Sequence, residues 1–110
     1  MAISTGIDLA YIPRFKQKND LAKKILAPHE YEAYLHHPIP EQFLAGRFAA
    51  KEAFIKAWNT LPYPDLSHIE VHLGTYGKPF IRYQQHHFAL SMAHDGDYAT
   101  AIVIIERDAS

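Results

Sequence analysis

The stretch Leu44-Ala-Gly-Arg-Phe-Ala-Ala-Lys-Glu-Ala-Phe-Ile-Lys-Ala-Trp58 constrains this chain more than any other. Phe43, Leu44, Phe48, Ala50, Phe54, Ile55 and Trp58 recur at threes and fours, the period of a helix packed over much of its circumference. Such a helix belongs in a core. Arg47 with Lys51, and Glu52 with Lys56, nevertheless run along it as two i,i+4 charged rows. A charge taken out of water needs a partner or a task.

The remaining chain reads as the frame for that helix. At 110 residues it is expected to form one domain spanning 1–110. A chain of this size buries only about two-thirds of its unfolded surface, so association with further copies would help it. No apolar run approaches the roughly 20 residues of a membrane span, so no membrane partner is expected. The opening residues lack a basic segment followed by a long apolar one, and the chain has no cysteine. Both features fit a cytoplasmic protein without disulfide or thiolate chemistry. A net charge of −1 argues against general nucleic-acid binding, which requires a positive excess. Five of the eleven basic residues, however, fall between positions 14 and 24. Arg14, Lys16, Lys18, Lys23 and Lys24 form a basic segment on a neutral protein, suited to an acidic partner.

Ile3–Leu9 reads as a strand, with Gly6 permitting close backbone approach. Asp8 within it is either a helix cap or a functional carboxylate. Pro13 suits a first helical turn, and Phe15, Leu21, Ile25 and Leu26 give a loose apolar stripe opposite the lysines. Pro28 starts a second helix through His37, and Pro38 and Pro40 lead into the central one. After the loop Asn59–Ser67 the period changes to two. Ile69, Val71 and Leu73 pair across a turn with Pro79–Tyr83, followed by Phe88–His94 and Tyr98–Glu106. The last strand is apolar on both faces, which predicts cover on both sides by helices, another sheet or a neighbouring subunit. The expected architecture is α+β: an N-terminal strand, three helices and an antiparallel meander.

Asp8, Glu52 with Lys56, and His94 are the spaced polar anchors. Two carboxylates converging from separate elements would make a hard oxygen site suited to Mg²⁺ and a substrate phosphate. Arg47 and lysines on the same helix could meet the remaining phosphate charge. Each signal has a plainer reading. Glu52 before Lys56 is an order common on surface helices, His94 could be a partly buried histidine satisfied by a turn amide, and Lys78-Pro79 could simply end a hairpin turn. His68 and His72 are four apart, but a strand ruins the helical spacing that paired zinc-binding histidines use, so zinc is a minor reading. Phosphate-loop, nucleophile-elbow and dinucleotide fingerprints are missing.

Gly6-Ile-Asp-Leu-Ala-Tyr-Ile-Pro-Arg-Phe15, Arg47-Phe-Ala-Ala-Lys-Glu-Ala-Phe-Ile-Lys-Ala57, Gly77-Lys-Pro79 and Leu90-Ser-Met-Ala-His94, in that order, resemble the holo-acyl-carrier-protein synthase family, the small 4′-phosphopantetheinyl transferases. The resemblance implies that family's fold and transfer of phosphopantetheine from coenzyme A to a serine of apo acyl carrier protein, with release of 3′,5′-ADP. It implies Asp8 and Glu52 as ligands of Mg²⁺ and, with Lys56, as the catalytic group. Arg47, Lys51, Lys56, Lys78, Pro79 and His94 are implied for the coenzyme A site. It also implies a homotrimer with sites between subunits, and an acidic carrier protein docking on Arg14, Lys16, Lys18, Lys23 and Lys24. Asn59 stands where the family usually has glycine, the loop after it is short, and Ala93 replaces a usual hydroxyl residue. The alternative is a carrier-binding module of the same fold without turnover.

Overall fold

The computed structural model describes residues 2–107. Strand β1 (Ala2–Tyr11) is followed by a 3-10 turn (Ile12–Phe15), then helices α1 (Asn19–Ile25), α2 (Pro28–His36) and α3 (Pro40–Trp58). Strands β2 (Glu70–Leu73), β3 (Pro79–Tyr83), β4 (His86–Asp95) and β5 (Tyr98–Arg107) complete the chain. The sheet is antiparallel with order β1-β5-β4-β3-β2. The expected meander is therefore present, and the first strand closes onto its last, with Asp8 opposite Ala101.

α3 lies across the inner face of β1 and β5. Its packing surface is built from small residues, with Ala45, Ala49, Ala50, Ala53 and Ala57 fully buried beside Leu44 and Phe54. Small side chains let the helix axis approach the sheet closely, and Gly6 of β1 sits at the closest point. A Cβ built there would run into the carbonyl oxygen of Ala53 and stand 2.7 Å from the amide nitrogen of Ala57. Ser4 donates to the carbonyl of Ala57 at 2.5 Å and Arg107 donates to that of Trp58, tying down the exposed carbonyls of the last turn. Asn59 ends the helix in the left-handed conformation, φ 46°, which asparagine tolerates better than most residues.

One expectation needs correction. The first helix does not run on from Pro13: Gln17 takes φ 56°, separating the 3-10 turn from α1. Lys16, Gln17 and Lys18 offer no apolar residue to anchor a helical turn there. Within this one chain β5 is covered on a single face, by α3. Val103 and Ile105 are buried under α3, whereas Ile102 and Ile104 remain 38% and 41% exposed on the opposite face.

Candidate active site

Strand alternation turns Ser4, Gly6, Asp8 and Ala10 toward α3 and leaves Ile3, Ile7 and Leu9 on the outer face. Asp8 is thus held inside the sheet ladder and caps no helix. From α3, Lys56 donates to Asp8 Oδ1 at 3.0 Å and to the carbonyl of Ile7 at 2.8 Å. Glu52, one turn earlier, is close enough to sense both groups. Its carboxyl is raised above its ordinary value, first by burial and then by the negative charge of Asp8, with Lys56 acting in the opposite sense. The pair expected from sequence to join Glu52 and Lys56 is replaced by Lys56 with Asp8.

Two converging carboxylates, one with its pKa raised by burial and by the charge of the other, are a donor set for a hard divalent cation. A bound cation would offset the repulsion that raises Glu52. The residues therefore fit the Mg²⁺ that the sequence resemblance implies.

The rest of the expected coenzyme A set separates into three places. Arg47 and His94 line a hollow of about 180 Å³ with His37, Gln42, Phe43 and Met92. Arg47 stacks 4.3 Å over the Phe43 ring, and its buried Nε has no hydrogen-bond partner among the described residues, lying 3.6 Å from Glu30 Oε2. Burial lowers its pKa although Glu30 opposes that shift. Gln42 Nε2 lies 3.4 Å from His94 Nε2, and the imidazole is exposed, not the partly buried histidine of the plainer reading. Lys78 and Pro79 line a separate groove of about 700 Å³ with Phe80, Ser91, Ile102 and Ile104.

Lys51 goes to neither. Its ammonium is fully buried and donates to Glu30 Oε1 at 2.6 Å, to the carbonyl of Ile69 at 2.6 Å and to that of Leu66 at 3.0 Å. The expectation that Lys51 contacts coenzyme A does not match this placement, because all three donors are spent inside the core. Burial lowers its pKa, with Glu30 working against that.

Glu30 is the residue that sequence reasoning missed. It also accepts from the amides of Ala27, at 2.9 Å, and Val71, at 3.1 Å. One sequence signal was available. Glu30 lies one turn before Tyr34, and both are buried on the same side of α2. Arg14, Lys16, Lys18, Lys23 and Lys24 are all exposed around the 3-10 turn and α1, as the solvated basic face required.

Residues 4–103 match the model of the 4′-phosphopantetheinyl transferase superfamily. A holo-[acyl-carrier-protein] synthase of Latilactobacillus sakei is 38% identical over 97% of this chain and 99% of its own length. The synthase structure from Neisseria meningitidis superposes with a TM-score of 0.84 at 29% identity, covering 94% of this chain and 98% of that one. An ACPS–CoA complex from Chronobacterium ammoniagenes gives a TM-score of 0.81 at 29% identity, covering 98% and 99%. Full-length agreement in sequence and fold, joined to the motifs at Asp8 and Glu52, places this chain in the holo-acyl-carrier-protein synthase family of 4′-phosphopantetheinyl transferases.

Proposed function

We propose that the chain transfers 4′-phosphopantetheine from coenzyme A to a serine of apo acyl carrier protein, and that it does so with Mg²⁺ held by Asp8 and Glu52. The observation that carries this reading is the convergence of those two carboxylates from β1 and α3, with Lys56 bonded to Asp8. In the reaction the serine oxygen bonds to the phosphorus bearing the pantetheine arm. The bond from that phosphorus to the oxygen of the 3′,5′-ADP leaving group breaks, and the serine proton is released. A divalent cation supplies charge neutralisation at the pyrophosphate. Lys56, half exposed, adds a positive charge beside Asp8. Holding the serine oxygen in line contributes more than any single base.

Two features support sites shared between subunits of a homotrimer. Within one chain the Arg47–His94 hollow and the Lys78–Pro79 groove are separate, and neither is lined by Asp8, Glu52 or Lys56. The outer sheet face carries an exposed apolar stripe of Ile3, Ile7, Leu9, Ile102 and Ile104, a feature that marks interaction surfaces when contiguous. Copies packed on that face would bring one chain's groove toward another's carboxylates. Arg14, Lys16, Lys18, Lys23 and Lys24 receive the acidic carrier protein. The absence of cysteine fits work in the cytoplasm.

The test is mass spectrometry of apo acyl carrier protein incubated with the chain, coenzyme A and Mg²⁺. The expected result is addition of one phosphopantetheine, lost on chelation and in Glu52→Ala. No added mass on competent carrier protein rejects the reading, and undiminished activity of Glu52→Ala rejects the metal assignment. Carrier association should slow as ionic strength rises; a rate indifferent to salt rejects the basic docking face.

A further inference from the structure

We infer that His29, Glu70 and His72 form a transition-metal site, distinct from the Asp8–Glu52 pair, that clips α2 to the edge strand β2. One ligand atom from each of the three residues lies within 4.8 Å of the others. Glu70 and His72 are two apart on one face of β2, and His29 comes to them from the first turn of α2. His72 Nε2 is 2.7 Å from Glu70 Oε1, and the His29 and His72 rings stack at 4.5 Å with 16° between their planes.

The arrangement is held from beneath by the buried carboxylate that follows His29 in sequence. Glu30 Oε2 accepts from the amide of Val71, the residue between Glu70 and His72, while Oε1 accepts from Lys51. The register of α2 against β2 is thereby set by a bonded, solvent-free contact rather than by surface side chains. Phe80 of β3 backs the His72 ring at 5.6 Å and 19°. The Nε2 of His29 lies 3.3 Å from the carbonyl of Val71, the kind of backbone contact that orients a ligating imidazole.

Two imidazoles and one carboxylate suit Zn²⁺, and by the usual affinity order Cu²⁺ and Ni²⁺, far better than Mg²⁺. With metal–ligand bonds near 2.0–2.2 Å, ligand atoms in a tetrahedral site stand about 3.3 Å apart. Closing the cluster onto an ion requires the stacked His29 and His72 rings to turn out of parallel so that their in-plane nitrogens converge. His29 is exposed and the other two are partly so, which leaves an entry path and a remaining coordination position for water. His68, four residues before His72 in sequence, lies in a 3-10 turn outside the cluster, and the second imidazole comes from a different element.

The experiment titrates the metal-free full chain with Zn²⁺ by calorimetry, in excess Mg²⁺ so that the carboxylate pair is occupied by its own cation. Co²⁺ serves as the optical probe. Expected are one equivalent of Zn²⁺ bound per chain and an intense visible Co²⁺ band of low coordination number. A rise in unfolding midpoint of at least about 5 °C should accompany Zn²⁺ at a hundredfold its dissociation constant. His72→Gln should weaken binding by about 100-fold. His29→Gln, at an exposed position, should do the same, whereas Glu52→Gln should leave the Zn²⁺ isotherm unchanged. No Zn²⁺ binding, or binding that survives both histidine changes or disappears with Glu52→Gln, overturns the site.

Discussion

Lys51 is a buried ammonium whose three donors all meet oxygen, and Glu30 is the counter-charge that makes this tolerable. Breaking such a pair from one side leaves an uncompensated charge in the core. Lys51→Met should therefore destabilise the fold by about 3–5 kcal/mol in urea unfolding, and adding Glu30→Gln should recover part of that; a loss below about 1 kcal/mol would contradict the assignment. Glu52 behaves oppositely. Its folded pKa is raised above the ordinary 4.5 by burial and by Asp8. Its contribution to stability is complete well below that value and is lost as pH rises through the raised folded pKa. In the absence of divalent cations, Glu52→Gln should melt higher than the native chain at neutral pH and converge with it in acid, while abolishing transfer. Thermal melts across pH that stay parallel would show that Glu52 is not under this strain.

At the scale of elements, the distance from β1 to α3 decides whether Asp8 and Glu52 meet. That distance is set at Gly6, where the helix backbone occupies the space of a side chain. Gly6→Ala should cost about 3 kcal/mol or more by overpacking, and transfer activity should fall further than the loss of folded protein explains, because α3 must lift away from Asp8. Normal specific activity in the folded fraction would argue against this geometry. The other end of α3 offers a gentler test. Asn59 holds a left-handed conformation that glycine adopts freely, so Asn59→Gly should change stability by no more than about 1 kcal/mol, in the stabilising direction. Chemical denaturation would register it without any change in denaturant slope.

At the scale of the molecule, β5 is half covered. Its inner residues meet α3, and Ile102 and Ile104 join Ile3, Ile7 and Leu9 on a face that this chain does not cover itself. If trimerisation buries that face, the paired change Ile102→Lys with Ile104→Lys should shift sedimentation from trimer to monomer and reduce transfer at least ~10-fold, since interfaces exclude unpaired charge at their centre. A native chain that sediments as a monomer at working concentrations would refute the shared-site arrangement.

The order of elements, the central helix and the motifs at Asp8, Glu52 and Lys56 were readable from the chain because they rest on local period and on residues spaced within single elements. α3 shows its helical repeat in its own residues, and the change from period four to period two marks where the meander starts. Contacts between distant side chains were not readable in that way. Nothing local to Lys51 names Glu30, twenty-one positions earlier, as its partner, and nothing near His72 points to His29. The same holds for Lys56, whose sequence neighbour Glu52 was displaced as partner by Asp8. Sequence by itself determined which side chains carry charge and which face of each helix or strand they occupy. Only the tertiary structure decided which charges meet, because burial against a particular neighbour, not spacing along the chain, sets the energetic cost of leaving a charge alone.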